Sequence, residues 1–163
     1  MATPALEVVA PAAVLRVQPV GDADAVVVLL CPQRGRIDAF ARAARASRTR
    51  FEGAALRPFN VVEVRLEPAR KGGMPVVRGA HVQTELLGAA PSYPQLVAAS
   101  YLLEIAGQLC QPAHADAPLY RWLVVWLTAT RACTDGQLPG LVLAAEFGVL
   151  AVAGMLPDLT HCV

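Results

Sequence analysis

Enzymatic motifs are absent from this sequence. It contains no Gly-x-Ser-x-Gly, no His-Glu-x-x-His and no glycine-rich phosphate loop followed by a lysine. These patterns mark common hydrolases, metalloproteases and nucleotide-binding enzymes. No pair of carboxylates stands in a recognisable catalytic setting either. The sequence therefore predicts a protein that is not an enzyme, with no catalytic residue and no cofactor, and an enzyme ranks behind two binding functions.

Paired metal ligands and paired cysteines are also missing. The four cysteines lie far apart, without a Cys-x-x-Cys pair: Cys31, Cys110, Cys133 and Cys162. Their neighbours are apolar or turn residues, which favours reduced, mostly buried thiols of raised pKa over a disulfide framework or a nucleophile. Only His161 and Cys162 bring two ligand types together, and no second pair completes a tetrahedral site. No metal site is predicted.

Charge is scarce, at 17% of residues, whereas 55% are hydrophobic and the mean hydropathy is +0.45. A chain of 163 residues and 17.2 kDa with this composition can bury a substantial core, in one domain or two small ones. The longest charge-free run, residues 86–103, contains Pro91 and Pro94 and is not typical of a membrane-spanning helix. The first residues lack a basic start followed by an apolar stretch, so a cytoplasmic protein without membrane contact is expected.

Lysine is nearly absent, since Lys71 is the only one, and arginine carries almost all the positive charge. Residues 1–81 hold twelve basic and seven acidic side chains, a net +5, whereas residues 82–163 hold two and six, a net −4. Residues 34–57 alone carry +5, from seven arginines against Asp38 and Glu52. The arginines are Arg34, Arg36, Arg42, Arg45, Arg48, Arg50 and Arg57. Such a cluster indicates a phosphate backbone or another anionic partner, or else a solvated arginine-rich surface.

The first half has the pattern of short β-strands. Runs rich in β-branched residues at 13–17 and 25–30 flank a turn at residues 19–22 and should pair as a hairpin. Further strands are predicted at 36–42, 60–66 and 76–87, the last bent at Gly79, with a loose connection at 43–53 and a tip at 71–73. Five short strands in about 85 residues favour a small closed barrel of the OB or SH3-like kind.

The second half changes to helical periodicity. Helices are predicted from about residue 94 to 110, from Asp116 and Pro118 onward, and between Pro139-Gly140 and Pro157. The apolar stripe of the first helix consists of Leu96, Ser100, Leu103 and Ala106, widened by Tyr101 and Ile105. That of the second helix consists of Leu119, Leu123, Trp126 and Thr130. That of the third helix consists of Leu143, Phe147, Leu150 and Gly154. Trp122 and Trp126 are assigned to the core of this bundle. The fold class is therefore α+β, a five-stranded barrel followed by a helical bundle.

Phe40 is the candidate aromatic contact for a nucleic acid. Alternation along the third strand puts Arg36, Asp38, Phe40 and Arg42 on one face. A phenylalanine between arginines suits single-stranded nucleic acid, because bases stack on the ring while the arginines meet phosphates. The alternative, which burial statistics favour slightly, is that Phe40 turns into the barrel interior. Phe51 and Phe59 are assigned to the core or to a hinge.

Short pieces of the sequence occur in the order typical of a known family. They are VLR at 14–16, GDAD at 21–24, PQRGRI at 32–37, ARAAR at 41–45 and FEGAALRPF at 51–59. Downstream follow AASYLLE at 98–104, PLY at 118–120, EF at 146–147 and AGMLPDL at 153–159. Together they resemble the RecO family of bacterial recombination mediators over residues 12–162.

The resemblance implies an OB-fold domain at residues 1–88 and a helical domain at residues 89–163. It also implies a non-enzymatic role in RecF-pathway DNA repair, in the bacterial cytoplasm at the nucleoid. Family members bind single- and double-stranded DNA, engage RecR and contact the acidic C-terminal tail of single-stranded DNA-binding protein. Arg42 and Arg45 match a basic stretch of the family, and Arg34 and Arg36 match its basic turn. The DNA-binding set predicted here is thus Arg34, Arg36, Phe40, Arg42, Arg45, Arg48, Arg50 and Arg57.

Two departures from the family pattern qualify the resemblance. Ala43 stands where relatives have glycine after the basic residue, so a turn requiring positive φ there would be strained or reshaped. Relatives also continue from the Leu-Pro-Asp-Leu segment into cysteine pairs that hold zinc, whereas Cys162 has no such partners here. The zinc-binding region is therefore expected to be lacking, in a fragment or a shortened paralogue. The alternative function is a diverged protein-interaction module with weak or no DNA binding.

Overall fold

Five strands form a closed barrel in the computed structural model, which describes residues 7–44, 51, 55–69 and 73–156. They are β1 (Glu7–Val20), β2 (Asp24–Cys31), β3 (Gly35–Ala41), β4 (Asn60–Glu67) and β5 (Val76–Glu85). The barrel order is β1-β2-β3-β5-β4, and β3 pairs with β5 in parallel at Phe40 and Val76. This five-stranded closed barrel confirms the predicted OB-fold.

The predicted hairpin is present, but β1 is much longer than the sequence pattern indicates. Its second half pairs with β2, as at Val17 and Val27, while its first half pairs with β4, as at Val9 and Val64. Because β1 pairs with both β2 and β4, it closes the barrel. The predicted bend in β5 is also observed, because the register with β4 shifts between the Arg65–Gly79 and Leu66–Val77 pairs.

Strand β2 is buried on both faces, which explains its unbroken apolar run. Val27 and Leu29 belong to the interior core of the barrel, whereas Val28 and Leu30 belong to a second core beneath the helices. A strand covered on both sides has no polar alternation. The second core contains barrel and helix residues together, so the barrel and the bundle pack as one unit.

Three helices follow the barrel: α1 (Tyr93–Leu109), α2 (Ala117–Ala132) and α3 (Leu138–Val152), with a short 3-10 turn at Asp135–Gln137 before α3. Ser92 caps α1, and Gln95 completes a capping box. The Asp116 carboxylate accepts the Leu119 backbone N–H at 2.9 Å and caps α2. The predicted start of α2 is thus confirmed. The predicted start of α3 is wrong, because Pro139 and Gly140 lie inside its first turn, where proline is tolerated.

The helical bundle buries only part of the stripe predicted for α1, including Leu103 and Ala106, and it buries the other side of α3 from the one predicted. Leu96, Ser100 and Tyr101 of α1 are exposed, and its buried residues are Ala98, Ala99, Leu102, Leu103 and Ala106. The predicted α3 stripe is the solvent side: Leu143 is 56% exposed and Phe147 45% exposed. Its core side consists of Leu138, Leu141, Ala145 and Val149. Helix α3 is apolar nearly all round, so periodicity could not identify its inner face.

Trp122 and Trp126 lie in the bundle as predicted. The buried Trp122 indole N–H donates to the Ala145 carbonyl of α3 at 3.0 Å, and Trp126 packs against the same core. A Cβ on Gly148 would lie 3.2–3.3 Å from the two indoles, so a small residue lets α2 and α3 approach. Among the described residues, one helical stretch, Asp135–Val152, is long and apolar enough to cross a membrane by length and composition, and 17% of it is buried.

Candidate nucleic-acid interface

The outward side of the β1–β2–β3 sheet is only partly covered by helices. Ala13, Leu15, Val28 and Leu30 lie beneath them in the second core. We use "outer sheet face" for the outward side chains at and beyond the helix edge: Arg16, Gln18, Val26, Arg36, Asp38 and Phe40. The strand register aligns them in rows, Arg16 with Val28 and Asp38, and Gln18 with Val26 and Phe40. Polar and aromatic groups therefore lie side by side on a regular sheet surface.

Phe40 lies on this outer sheet face and not in the barrel interior. Its neighbours Ala39 and Ala41 are fully buried members of the interior core, so alternation turns Phe40 outward. The ring is half-buried, at the point where the Phe40 backbone N–H donates to the Pro75 carbonyl at 2.8 Å. The slightly favoured expectation of an interior Phe40 is thus wrong. A short strand with alanines on its inner side leaves no space there for a ring.

Of the four predicted arginines that the structure describes, three form a line along β3. Arg34 precedes the strand, Arg36 lies within it and Arg42 follows it directly. At about 3.3 Å per residue, Arg34 and Arg42 are about 25 Å apart. Arg57 lies away from this line, in the connection that precedes β4, beside a cavity of about 300 Å³. Arg45, Arg48 and Arg50 lie outside the described residues.

Two of these arginines are paired with carboxylates of the barrel. The Arg34 guanidinium lies 2.5 Å from a Glu7 carboxylate oxygen, and both side chains are about half exposed. The Arg36 Nε donates to Asp38 at 3.0 Å, and this hydrogen bond is the main cause that raises the pKa of Arg36. In contrast, no carboxylate among the described residues lies within ion-pair distance of Arg16, Arg42 or Arg57. These three exposed arginines are available to an anionic ligand.

Ala43 shapes the end of β3 next to Arg42. Its φ is +51°, the conformation that favours glycine, so the departure from the family pattern results in strain and not in a reshaped turn. The Ala43 backbone N–H donates to the Asp24 carboxylate at 2.8 Å. This bond anchors the chain after β3 to the start of β2. The side chain of Arg42 is therefore held at the edge of the outer sheet face by a fixed backbone.

The other end of β3 is held by the loop between α1 and α2. The Arg36 backbone N–H donates to the Gln111 carbonyl at 3.0 Å. Gly35 has a φ of +66°, and a Cβ there would lie 2.1 Å from the His114 carbonyl oxygen. Only glycine permits this approach. The helices thus fix the strand that carries Arg36 and Phe40.

Arg16 was missed in the sequence-based set. It belongs to the predicted first strand, but a β-bulge between Val14 and Arg16 shifts the register, so that both Leu15 and Arg16 face outward. The signal that could have found it is the pairing across the hairpin, which aligns Arg16 with Val28 and Asp38. Simple alternation cannot detect a bulge.

Two of the three cysteines that the structure describes are buried. Cys31 and Cys110 are buried and Cys133 is half-buried, and all three are free thiols. Burial raises the pKa of Cys110, although the nearby Arg36 opposes this shift. Within the part of the chain that the structure describes, no three His, Cys, Asp or Glu side chains cluster to hold a metal. His161 and Cys162 lie outside that part.

Comparison with known proteins gives a consistent result. The family model for the Recombination protein O N terminal region matches residues 5–84, and that for the C terminal region matches residues 91–163. A DNA repair protein RecO from Anaeromyxobacter sp. (strain K) is 36% identical over 156 residues, covering 91% of this chain and 58% of the relative. A DNA repair protein RecO from Nocardioides sp. is 34% identical over 154 residues, covering 93% and 61%.

A DNA repair protein RecO from Myxococcus xanthus is 33% identical over 147 residues, covering 87% of this chain and 57% of the relative. The chain therefore spans about three-fifths of the length of the curated relatives it matches. The two family models together cover both the barrel and the helices.

Proposed function

The chain belongs to the RecO family, and from this premise we propose that it is a non-enzymatic recombination mediator of RecF-pathway DNA repair that binds DNA through the outer sheet face. The observation that carries the proposal is the line of Arg36, Phe40 and Arg42 along β3, with Arg16, which has no carboxylate partner among the described residues, beside it. A charged strip with an outward aromatic ring is how barrels of this kind hold single strands.

The ligand of the outer sheet face is DNA of either strandedness, with single strands favoured by Phe40. Arg16 and Arg42 would contact phosphates, and the half-exposed Phe40 ring would stack on a base. Arg34 would extend the line of arginines at the start of β3, and Arg45, Arg48, Arg50 and Arg57 stay predicted as further phosphate contacts. Because Arg34 and Arg36 are paired with Glu7 and Asp38, we expect them to contribute less than Arg42.

The helical half is proposed to dock protein partners. Helix α3 has one charged residue, Glu146, and the Tyr101 hydroxyl donates to it at 2.6 Å. Apart from this glutamate, the outward side of α3 is apolar, with Leu143 and Phe147 exposed. In the proposed role this half engages RecR and the acidic C-terminal tail of single-stranded DNA-binding protein, in the cytoplasm at the nucleoid. Apolar surfaces of this kind are typical of protein interaction sites.

Fluorescence anisotropy at several salt concentrations tests the DNA-binding proposal. The probe is a labelled single-stranded oligonucleotide, and the variant is Arg42→Ala with Arg45→Ala. Removing one arginine–phosphate interaction should reduce the slope of log K against log salt by about 0.7, so the double variant should show a slope smaller by about 1.4. Arg121→Ala, an exposed arginine of α2, is the matched control and should leave the slope unchanged. Failure of the unaltered chain to bind at low salt would refute the proposal.

A second candidate function is a protein-interaction module with weak or no DNA binding. The ion pairs of Arg34 with Glu7 and of Arg36 with Asp38 favour it, because these two cations are already neutralised within the barrel. The test is isothermal titration with purified RecR, using the unaltered chain and Leu143→Glu with Phe147→Glu. This function predicts RecR binding that is abolished in the double variant, together with no response in the DNA titration.

A further inference from the structure

Phe59 occupies a backbone position that does not suit an aromatic residue. The Asn60 N–H donates to the Arg57 carbonyl at 3.3 Å, so residues 57–60 form a turn with Pro58 second and Phe59 third. Phe59 has a φ of +72°. A turn with positive φ at the third position takes glycine or asparagine, so a bulky residue there is strained. The rest of the fold must offset this strain, and the strained position makes Phe59 a candidate for a functional role.

The ring of Phe59 lies where the barrel meets α1. It is half-buried, packs against the second core and forms part of the wall of two cavities, one of about 520 Å³ and one of about 300 Å³. The Phe59 carbonyl accepts the Leu86 N–H at 3.0 Å, which fixes the backbone on the barrel side. We call the larger cavity the junction groove. The strained turn holds an aromatic ring at its edge.

The junction groove adjoins the outer sheet face and shares two of its arginines. Arg16 and Arg36 contribute from the sheet, whereas Glu104 and Gly107 contribute from α1. Arg16 is exposed and has no carboxylate partner among the described residues. Glu104 is exposed on the opposite wall. The groove thus combines an aromatic ring, an available cation and a hydrogen-bond acceptor, and 520 Å³ lies within the range of small-ligand sites.

We propose that the junction groove receives an unstacked base of single-stranded DNA, which stacks on Phe59 while Arg16 holds the adjacent phosphate. The inference rests on the proposed DNA-binding function and adds a second aromatic contact, at the end of the same sheet surface that carries Phe40. Every base offers a π-face to the ring. The Glu104 carboxylate accepts a hydrogen bond from an exocyclic amino group, such as that of cytosine.

The test separates base contacts from phosphate contacts. Anisotropy titrations compare oligo(dC) with an oligonucleotide of the same length whose residues are all abasic, so that the phosphates are retained and the bases are removed. Phe59→Leu keeps an apolar side chain at the same φ but removes the aromatic face. Because stacking contributes about 1–3 kcal/mol per base, this variant should bind oligo(dC) about tenfold more weakly and the abasic strand equally well. Phe59→Tyr should restore oligo(dC) binding.

Arg16→Ala should weaken the binding of both oligonucleotides and reduce the salt slope by about 0.7, while Arg121→Ala changes neither. Thermal melting of each variant reports whether it is folded, and Phe59→Gly, which relieves the positive φ, provides a second ring-less variant if Phe59→Leu is unstable. An unaltered chain that binds neither oligonucleotide defeats the proposed function itself. If the unaltered chain binds both oligonucleotides and removal of the ring leaves its affinity for oligo(dC) unchanged, the junction-groove proposal is wrong and the proposed DNA-binding function stands. That outcome also fits a groove that takes an acidic peptide.

Discussion

The outer sheet face and the outward side of α3 are both exposed, but they have opposite chemistry. The sheet surface alternates arginine, aspartate and an aromatic ring, whereas α3 exposes the apolar Leu143 and Phe147 and carries a single charge, Glu146. A surface with unpaired cations binds an anion, and its affinity depends on salt. An uncharged apolar surface binds another apolar surface, with little salt dependence. The comparison supports the proposal that nucleic acid and protein are held by separate parts of one packed unit.

The contact between the β2–β3 turn and the loop that joins α1 to α2, where the barrel meets the helices, is where a substitution should have the largest effect. Gly35→Ala would place a Cβ 2.1 Å from the His114 carbonyl oxygen and 2.5 Å from that of Gln111, at a φ of +66°. Backbone strain of about 1–2 kcal/mol and overpacking of similar size should together reduce the free energy of unfolding by about 3 kcal/mol. For a chain of this size that lowers Tm by roughly 6–12 °C, measurable by calorimetry.

Gly21→Ala is the matched control for that destabilisation. Gly21 also has a positive φ, +59°, but a Cβ there meets nothing within 4 Å. Gly21→Ala should therefore lower the free energy of unfolding only through backbone strain, by about 1 kcal/mol. Equal Tm shifts for the two variants would contradict the close packing of the β2–β3 turn on the helical loop.

The next effect distinguishes the inner and outer sides of α3. Leu141 is 9% exposed and Leu143 is 56% exposed, although they are two residues apart. Leu141→Ala should cost about 2–4 kcal/mol because it leaves a cavity, whereas Leu143→Ala should change stability by about 0.5 kcal/mol or less. Urea denaturation of both variants measures the difference. A larger destabilisation by Leu143→Ala would mean that the buried side of α3 is the one predicted from periodicity.

Sequence patterns predicted the barrel better than the faces of the helices, for a physical reason. Alternation and turn residues identify strands such as β4, because one side of the strand is buried and its neighbours are fixed by the barrel. Asp116 predicted the start of α2, because an N-cap carboxylate accepts a backbone N–H of the first helical turn and so depends only on nearby residues. Helix α3 has only Glu146 to distinguish its sides, so its orientation depends on tertiary packing against Trp122.

The candidate site was predicted in part. The strand that carries Arg36, Phe40 and Arg42 follows from the sequence, since β3 is short and alternates. The side that Phe40 occupies does not, because alanines on one side of β3 could line either the interior or the surface. Arg16 was missed because of a bulge, and Phe59, which packs against the second core in line with its assignment, was not expected to lie in a strained turn. Neither a bulge nor a positive φ at phenylalanine has a sequence signature.

A smaller effect concerns the strain at the end of the outer sheet face. Ala43→Gly should stabilise the protein by about 0.5–1 kcal/mol, because glycine adopts a φ of +51° without steric cost. Ala144→Gly makes the same chemical change at an exposed position within α3 and should destabilise by about 1 kcal/mol. Calorimetry should thus give Tm shifts of opposite sign. A lower Tm for both variants would mean that Ala43 is not strained.

The smallest expected effect concerns the charge of Asp38 on the outer sheet face. Asp38 accepts from Arg36 at 3.0 Å, so it both neutralises a cation and places a negative charge on the surface proposed to meet phosphates. Asp38→Asn should raise the affinity for single-stranded DNA about threefold at low salt, because Arg36 is no longer neutralised and the negative charge that repels phosphates is removed. It should also steepen the salt slope by about 0.7, because the released Arg36 becomes able to bind a phosphate.

Glu63→Gln removes the same charge from β4, a strand that pairs with β1 and β5 and is not adjacent to β3 in the barrel order. At an ionic strength of 0.15 M, charges more than about 8 Å apart are largely screened, so this control should change DNA affinity much less than Asp38→Asn. If the two variants raise affinity equally, the increase reflects net charge alone, and the alignment of Arg36, Phe40 and Arg42 along β3 has no special part in binding. An increase confined to Asp38→Asn locates the anion-binding surface on that strand.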